Sequence, residues 1–173
     1  MLKALKRRKE RKAIVECLCA VVSDRARAEV FFSEFQVPDT FDGRFDMLVL
    51  HAWLVLDELR GRGQTAISQH LIDALFVQFD LALRELGAGD VGMSRRMKKM
   101  AGAFFGRLDA YRGASNESAL AEAIARNVYR GESFGLAPAR LLATYCDAAR
   151  ARIAGSDLEA GLVDFGRLPS GTS

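Results

Sequence analysis

Apolar residues recur every three to four positions along most of the chain, and Gly- or Pro-bearing turns interrupt them at intervals of about twenty residues. A first helix is predicted over residues 4–23, with Ile14, Val15, Leu18, Cys19 and Val22 on one face. A shorter second one is expected over 25–36 through Val30, Phe31, Phe32 and Phe35. Pro38 forbids its continuation, and Pro38-Asp39-Thr40 followed by Asp42-Gly43 reads as a structured loop. The third helix, 44–60, is apolar nearly all round from Met47 to Leu56, which marks a central, buried element. Gly61 and Gly63 end it, with Arg60 and Arg62 placed to meet its negative C-terminus.

The fourth helix, 65–86, carries Ile67, Leu71, Leu75, Phe76, Phe79, Leu83 and Leu86. The fifth, 93–112, has the cleanest 3.6-residue pattern: Met93, Met97, Met100, Ala101, Phe104, Phe105, Leu108 and Tyr111. A sixth, 117–130, has Ser115 or Asn116 as its cap, and a seventh, 138–153, has Pro138 in its first turn. Strand-like alternation is scarce. The expectation is an all-α, single compact domain of about six to seven helices. It divides into a basic arm at 1–12, a helical domain at 13–154 and an irregular tail at 155–173.

Charge changes this picture at one end. Residues 1–12 hold seven Lys and Arg against Glu10, so this stretch carries +6 of a total of +3 and the remainder carries −3. Such an arm suits anionic headgroups or RNA phosphates, or serves simply as a solubilising helix start. No apolar run approaches the roughly 18 residues that a membrane span needs, and no secretory signal is expected. Cys17 and Cys19 lie two apart, which on a helix sends their side chains about 200° apart. They are read as small buried apolar residues, and the odd count of three cysteines suits a reducing compartment.

Catalytic chemistry finds little support. His51 has no Glu or His three or four residues away, and His70 has only Asp73 at that spacing. His51 is read as a buried histidine bonded to a loop carbonyl. Gly87-Ala88-Gly89-Asp90-Val91-Gly92 has a phosphate-loop outline, but it follows a helix and contains a carboxylate. Asp80 is read as an ion-pair partner of Arg84, with Arg44 as a second candidate. No metal or other cofactor is expected. The strongest surface signal is Arg95, Arg96, Lys98 and Lys99, beside the row Met93, Met97 and Met100. Methionines at this spacing are usually core, yet a flexible Met row bordered by cations also suits a groove for variable apolar helices.

Three segments kept in order carry a more specific signal: VPDTFDGRFDMLVLH at Val37–His51, QFDLALRELGAGDVGMSRRMKKMA at Gln78–Ala101, and FFGRLDAY at Phe104–Tyr111. Together they resemble the ubiquinol–cytochrome c chaperone family, whose pattern places a tyrosine near Phe105. The resemblance implies a non-enzymatic assembly factor that binds newly made cytochrome b and supports assembly of ubiquinol–cytochrome c reductase. It implies no DNA and no small-molecule substrate, and a cytoplasmic place at the inner face of a bacterial inner membrane. Met93, Met97, Met100, Phe104 and Phe105 would supply apolar contact with the client, and Arg95, Arg96, Lys98 and Lys99 would meet acidic loops or headgroups. Asp39, Asp42, Gly43, Arg44, Phe45, Asp46 and His51 match the family's loop and either brace the fold or bind the client. The basic arm would meet a ribosome or an anionic membrane. The rival reading is a basic helical module that binds RNA or a ribosome surface through residues 3–12 and 95–99.

Overall fold

The computed structural model describes residues 1–87 and 89–169, and of residues 2–4, 90 and 91 the backbone alone. Lys3 of the basic arm, Ala88, Asp90 and Val91 of the glycine segment, and residues 170–173 of the tail therefore lie, in whole or in their side chains, outside the described residues. Within them the chain is all-α, without strands: α1 (Leu2–Ala26), α2 (Val30–Ser33), α3 (Phe41–Gly61), α4 (Thr65–Glu85), α5 (Asp90–Arg112), α6 (Glu117–Val128) and α7 (Leu136–Ala154). A 3-10 turn follows at Leu158–Ala160.

The helix starts have local causes. Thr40 sits in extended backbone and its hydroxyl accepts the Gly43 N–H at 3.1 Å, so α3 begins at Phe41, one turn earlier than the apolar pattern alone suggests. Asn116 accepts the Ala119 N–H at 2.9 Å and starts α6. Left-handed backbone at Gly63 turns the chain from α3 into α4.

α3 is the axis of the fold. It packs against α1, α4, α5, α6 and α7. Met47, Val49, Leu50, Ala52, Trp53, Leu54, Val55, Leu56 and Leu59 on it are all buried. α1 and α4 pair on one side of it and the α6–α7 hairpin covers another. A helix that buries most of its residues between 45 and 56 depends on its neighbours, because that apolar surface has nowhere else to go.

Several expectations change. The second helix shrinks to the single turn α2, since α1 runs on to Ala26 and Gln36 adopts positive φ. Arg62 pairs with Glu58 at 2.7 Å, but its guanidinium also donates to the carbonyls of Ile153, Ala154 and Ser156. It therefore serves the C-terminus of α7 as well as its own helix. Cys17 is exposed, whereas Cys19 and Cys146 are buried. The stretch beyond Gly155 is mostly without regular structure and largely exposed, yet it is anchored by Leu158 and Phe165, which are buried in the core.

Candidate functional site

The segment from Pro38 to Asp46 is tied down at every turn. Gly43 passes directly beneath the Pro38 carbonyl oxygen, with which any Cβ at that position would collide. Arg44 Nε donates to Asp39 Oδ1 at 2.7 Å on the surface, and its guanidinium lies over the Phe32 ring at 5.7 Å. The guanidinium lowers the Asp39 carboxyl below its usual range. Phe45 packs on Phe79, ring centres 5.2 Å apart.

Asp46 is fully buried between two arginines. Arg107 Nε of α5 donates to Oδ1 at 2.7 Å, and Arg130 Nη2, from the turn after α6, lies 2.9 Å from Oδ2. Arg130 meets Oδ2 as a charge contact without hydrogen-bond alignment. Burial pushes the Asp46 carboxyl up to about 6 against the opposing pull of both guanidiniums. It is thus ionised at neutral pH. Asp42 stands 3.9 Å from the same Arg130. The loop thereby joins three parts of the chain through one carboxylate, an arrangement that fixes geometry and offers no substrate a path to it.

His51 is also internal. Its Nδ1 lies 2.8 Å from the Met47 carbonyl of its own helix, and Nε2 lies 2.9 Å from the Tyr145 hydroxyl. The expected loop carbonyl is thus a helical one, reached because His51 is one turn beyond Met47. Arg25 Nε donates to the same hydroxyl at 2.9 Å. Because the Met47 carbonyl can only accept, the neutral ring carries its proton on Nδ1, and Nε2 accepts from the Tyr145 hydroxyl. Burial drives the imidazole down to about 4 and the Tyr145 phenol up to about 12. A neutral, doubly bonded ring of this kind is structural. His70 bonds to Ala66 O at 2.6 Å, while Asp73 is held by Gln69 rather than by His70. Asp80 pairs with Arg84 at 2.8 Å as expected, but it is half-exposed; Arg44 belongs to Asp39. Among the described residues no three His, Cys, Asp or Glu side chains group around a metal position.

The structure divides the α5 set. Met93, Met100 and Phe104 point inward, Phe104 with no exposed surface and its ring 5.3 Å from Phe76. Met97 is half-buried, and Phe105 is 46% exposed, stacked on Phe76 at 6.1 Å. Arg95, Arg96, Lys98 and Lys99 are exposed. The Met row is therefore mainly a core stripe, and what remains accessible is Met97, Phe105 and the four cations.

Two concavities flank α4. A cleft of about 460 Å³ lies where the loop-proximal residues Phe41, Arg44 and Phe45 face Phe79, Leu86 and Met100. A wider groove of about 960 Å³ runs between α1 and α4. Gln78 lines both: its amide nitrogen donates to Cys19 Sγ at 3.2 Å, and its oxygen accepts from Ser23 Oγ at 3.0 Å. Sequence reasoning missed the groove. The available signal was Val77, an apolar residue off the Leu71–Leu75 face that lines the groove and is 61% exposed.

Comparison with known proteins places these features in context. The model of the ubiquinol–cytochrome c chaperone family matches residues 33–163. The chain is also similar to the Cbp3 homolog from Brucella abortus, whose crystal structure aligns with a TM-score of 0.81 at 38% identity, covering 95% of this chain and 98% of that one. Curated proteins yield no match.

Proposed function

The chain belongs to the ubiquinol–cytochrome c chaperone family, and from that membership we propose that it holds a segment of newly made cytochrome b until partner subunits take its place. A chaperone role in assembly of ubiquinol–cytochrome c reductase follows from the family itself. The client, its contact surface and the non-catalytic, binding-only mechanism are the further reading.

One observation carries it. Two segments distant in sequence, around Val37–His51 and Gln78–Ala101, converge on the same cleft, where Phe41, Phe45, Phe79 and Met100 meet, Leu86 is left 61% exposed, and Arg27, Arg44 and Glu85 add charge to the lining. Exposed Phe105 connects to it through the Phe76 and Phe79 rings. Apolar surface that the monomer leaves uncovered is suited to a partner segment that would otherwise aggregate. The cations of α5 would meet acidic loops or headgroups around it. Because the client is a membrane protein, the reading puts the chaperone at the inner face of the membrane as a peripheral partner. No described helix is long and apolar enough to cross one itself.

The test is a photocrosslinking residue at Phe105 of the full chain, in cells that are making cytochrome b. Covalent capture of cytochrome b is the expected result, with none from a crosslinker at exposed Leu162 of the tail. Absence of cytochrome b from the Phe105 product, while the protein is being made, overturns the reading.

A further inference from the structure

We propose that the groove between α1 and α4 is a second docking site, shaped for an acidic amphipathic helix of a partner protein. It stands on its own observations and holds whether or not the cleft near Phe105 receives cytochrome b.

The floor of the groove is apolar and recessed. Val15 and Cys19 lie at 5% exposure beneath it, and Ala74 closes it from α4. The walls are apolar too and face water: Leu5 is 66% exposed and Val77 61%. Residues 5–13 of α1 are exposed throughout, so this half of the helix has no covering element among the described residues. From Leu5 to Ala20 the α1 wall extends about 22 Å at 1.5 Å per residue, roughly four turns of helix.

Charge comes from α1. Arg8 and Lys12 continue the Val15–Cys19 face toward the helix start, Lys9 and Arg11 flank them on either side, and Glu16 is the lone carboxylate in the lining. Among the described residues only Lys12 of these cations has an ion-pair partner, Glu16 at 3.7 Å, and both of those side chains are largely exposed. Such a pair is weak and easily exchanged. Cations grouped on the α1 side of an apolar trough call for carboxylates on the side of an apolar stripe that meets α1.

Shape selects the kind of occupant. Two adjacent helices make ridges with a depression between them, and a third helix is the body that fills such a depression at ordinary helix–helix spacing. A bilayer surface is broad and would rest on Leu5 and Val77 without reaching Val15 or Cys19. Single-stranded nucleic acid would use the cations, but it binds by stacking on aromatic rings, and the groove is lined by no Phe, Tyr or Trp. The occupant that uses floor, walls and rim together is a helix with apolar residues at i, i+3, i+4 and i+7 and Asp or Glu on the flank that faces α1.

The probe is a labelled synthetic helix of about 18 residues, ~27 Å long, with a Leu stripe and Glu flanks. Its binding to the full chain is followed by fluorescence anisotropy. A twin with Lys flanks, and vesicles of equal parts phosphatidylglycerol and phosphatidylcholine, are run beside it. The Glu helix is expected to bind and the Lys helix not. Val77→Asp should weaken binding by about tenfold or more. Arg8→Glu with Arg11→Glu should weaken it comparably and flatten its dependence on salt. Phe105→Asp should leave it unchanged, which separates this groove from the client cleft. All these positions are exposed, and thermal melts check that folding survives; if Val77→Asp lowers the melt, the α1 pair decides. The proposal is overturned if the Glu helix does not bind, if neither groove variant weakens it, or if the vesicles bind through these residues while the peptide does not.

Discussion

α3 and the first half of α1 are both unbroken helix, yet they stand at opposite extremes of the molecule. Thirteen of the 21 residues of α3 are buried, including Asp46 and His51, whereas residues 5–13 of α1 are exposed on every side. The segment leading into α3 has the most distinctive sequence in the chain, and its residues are engaged inside the fold: Thr40 with Gly43, Arg44 with Asp39, and Asp46 with Arg107 and Arg130 of other elements. The start of α1 is a plain run of cations, and beside it lies the wider of the two concavities that flank α4. Much of the distinctive sequence goes into contacts inside the fold, although it also lines the cleft between Phe41 and Phe79, whereas the plain cationic run leaves its side chains in water.

The sharpest way to break that contrast is Asp46→Ala. It would leave Arg107, only 14% exposed, without its carboxylate, and loss of one member of a buried pair costs about 3–5 kcal/mol. Chemical denaturation should show a loss of this size; a loss below about 1 kcal/mol would mean that the loop is not braced through this carboxylate. Gly43→Ala comes next. Its methyl must displace the Pro38 carbonyl, so a loss of about 2–3 kcal/mol is expected, read as a lowered denaturation midpoint with unchanged slope.

The smallest effect is one of pH. His51 titrates near 4 when folded against 6.5 when free. The unfolded chain therefore takes its proton first, and stability present above pH 6.5 is lost as pH falls toward 4. Asp46 acts in the opposite sense. Its folded carboxyl is raised from 3.8 to about 6, so it adds stability as pH falls from 6 toward 3.8. At pH 5 each contribution is on the order of 1–2 kcal/mol, and the two largely offset. Stability measured at pH 7 and pH 5 should change little for the native chain from these groups. Relative to its own value at pH 7, His51→Gln should gain toward acid and Asp46→Asn should lose. Identical pH dependence in all three would remove the interior titration from the comparison.

The fold was legible in the sequence to the extent that periodicity is local. The long helices, the central place of α3 and the turn at Pro38 follow from spacing and from Pro and Gly chemistry. α2 was over-extended because Phe31 and Phe35 suit a helix face, and nothing nearby signals the positive φ at Gln36 that ends it. The Asp46 site was not legible, since Arg107 and Arg130 lie far along the chain among many arginines that look alike. The Met row of α5 is ambiguous for a different reason: a core stripe and a binding stripe have the same spacing, and only the burial of Met93 and Met100 beside half-buried Met97 separates them. The groove was hidden because its floor is made by two helices jointly. Family identity, by contrast, was readable because it depends on the order of residues and not on where they point.

The Tyr145 hydroxyl has a consequence for how the protein comes into being. It joins Arg25 to His51, and the same guanidinium holds the carbonyls of Phe165 and Arg167. The polar contacts of Arg25 thus close only when residues 165 and 167, 140 and 142 positions further along the chain, are in place. A contact across so long a separation repays its loop-closure entropy only once the intervening helices have packed, so it seals the fold and does not nucleate it.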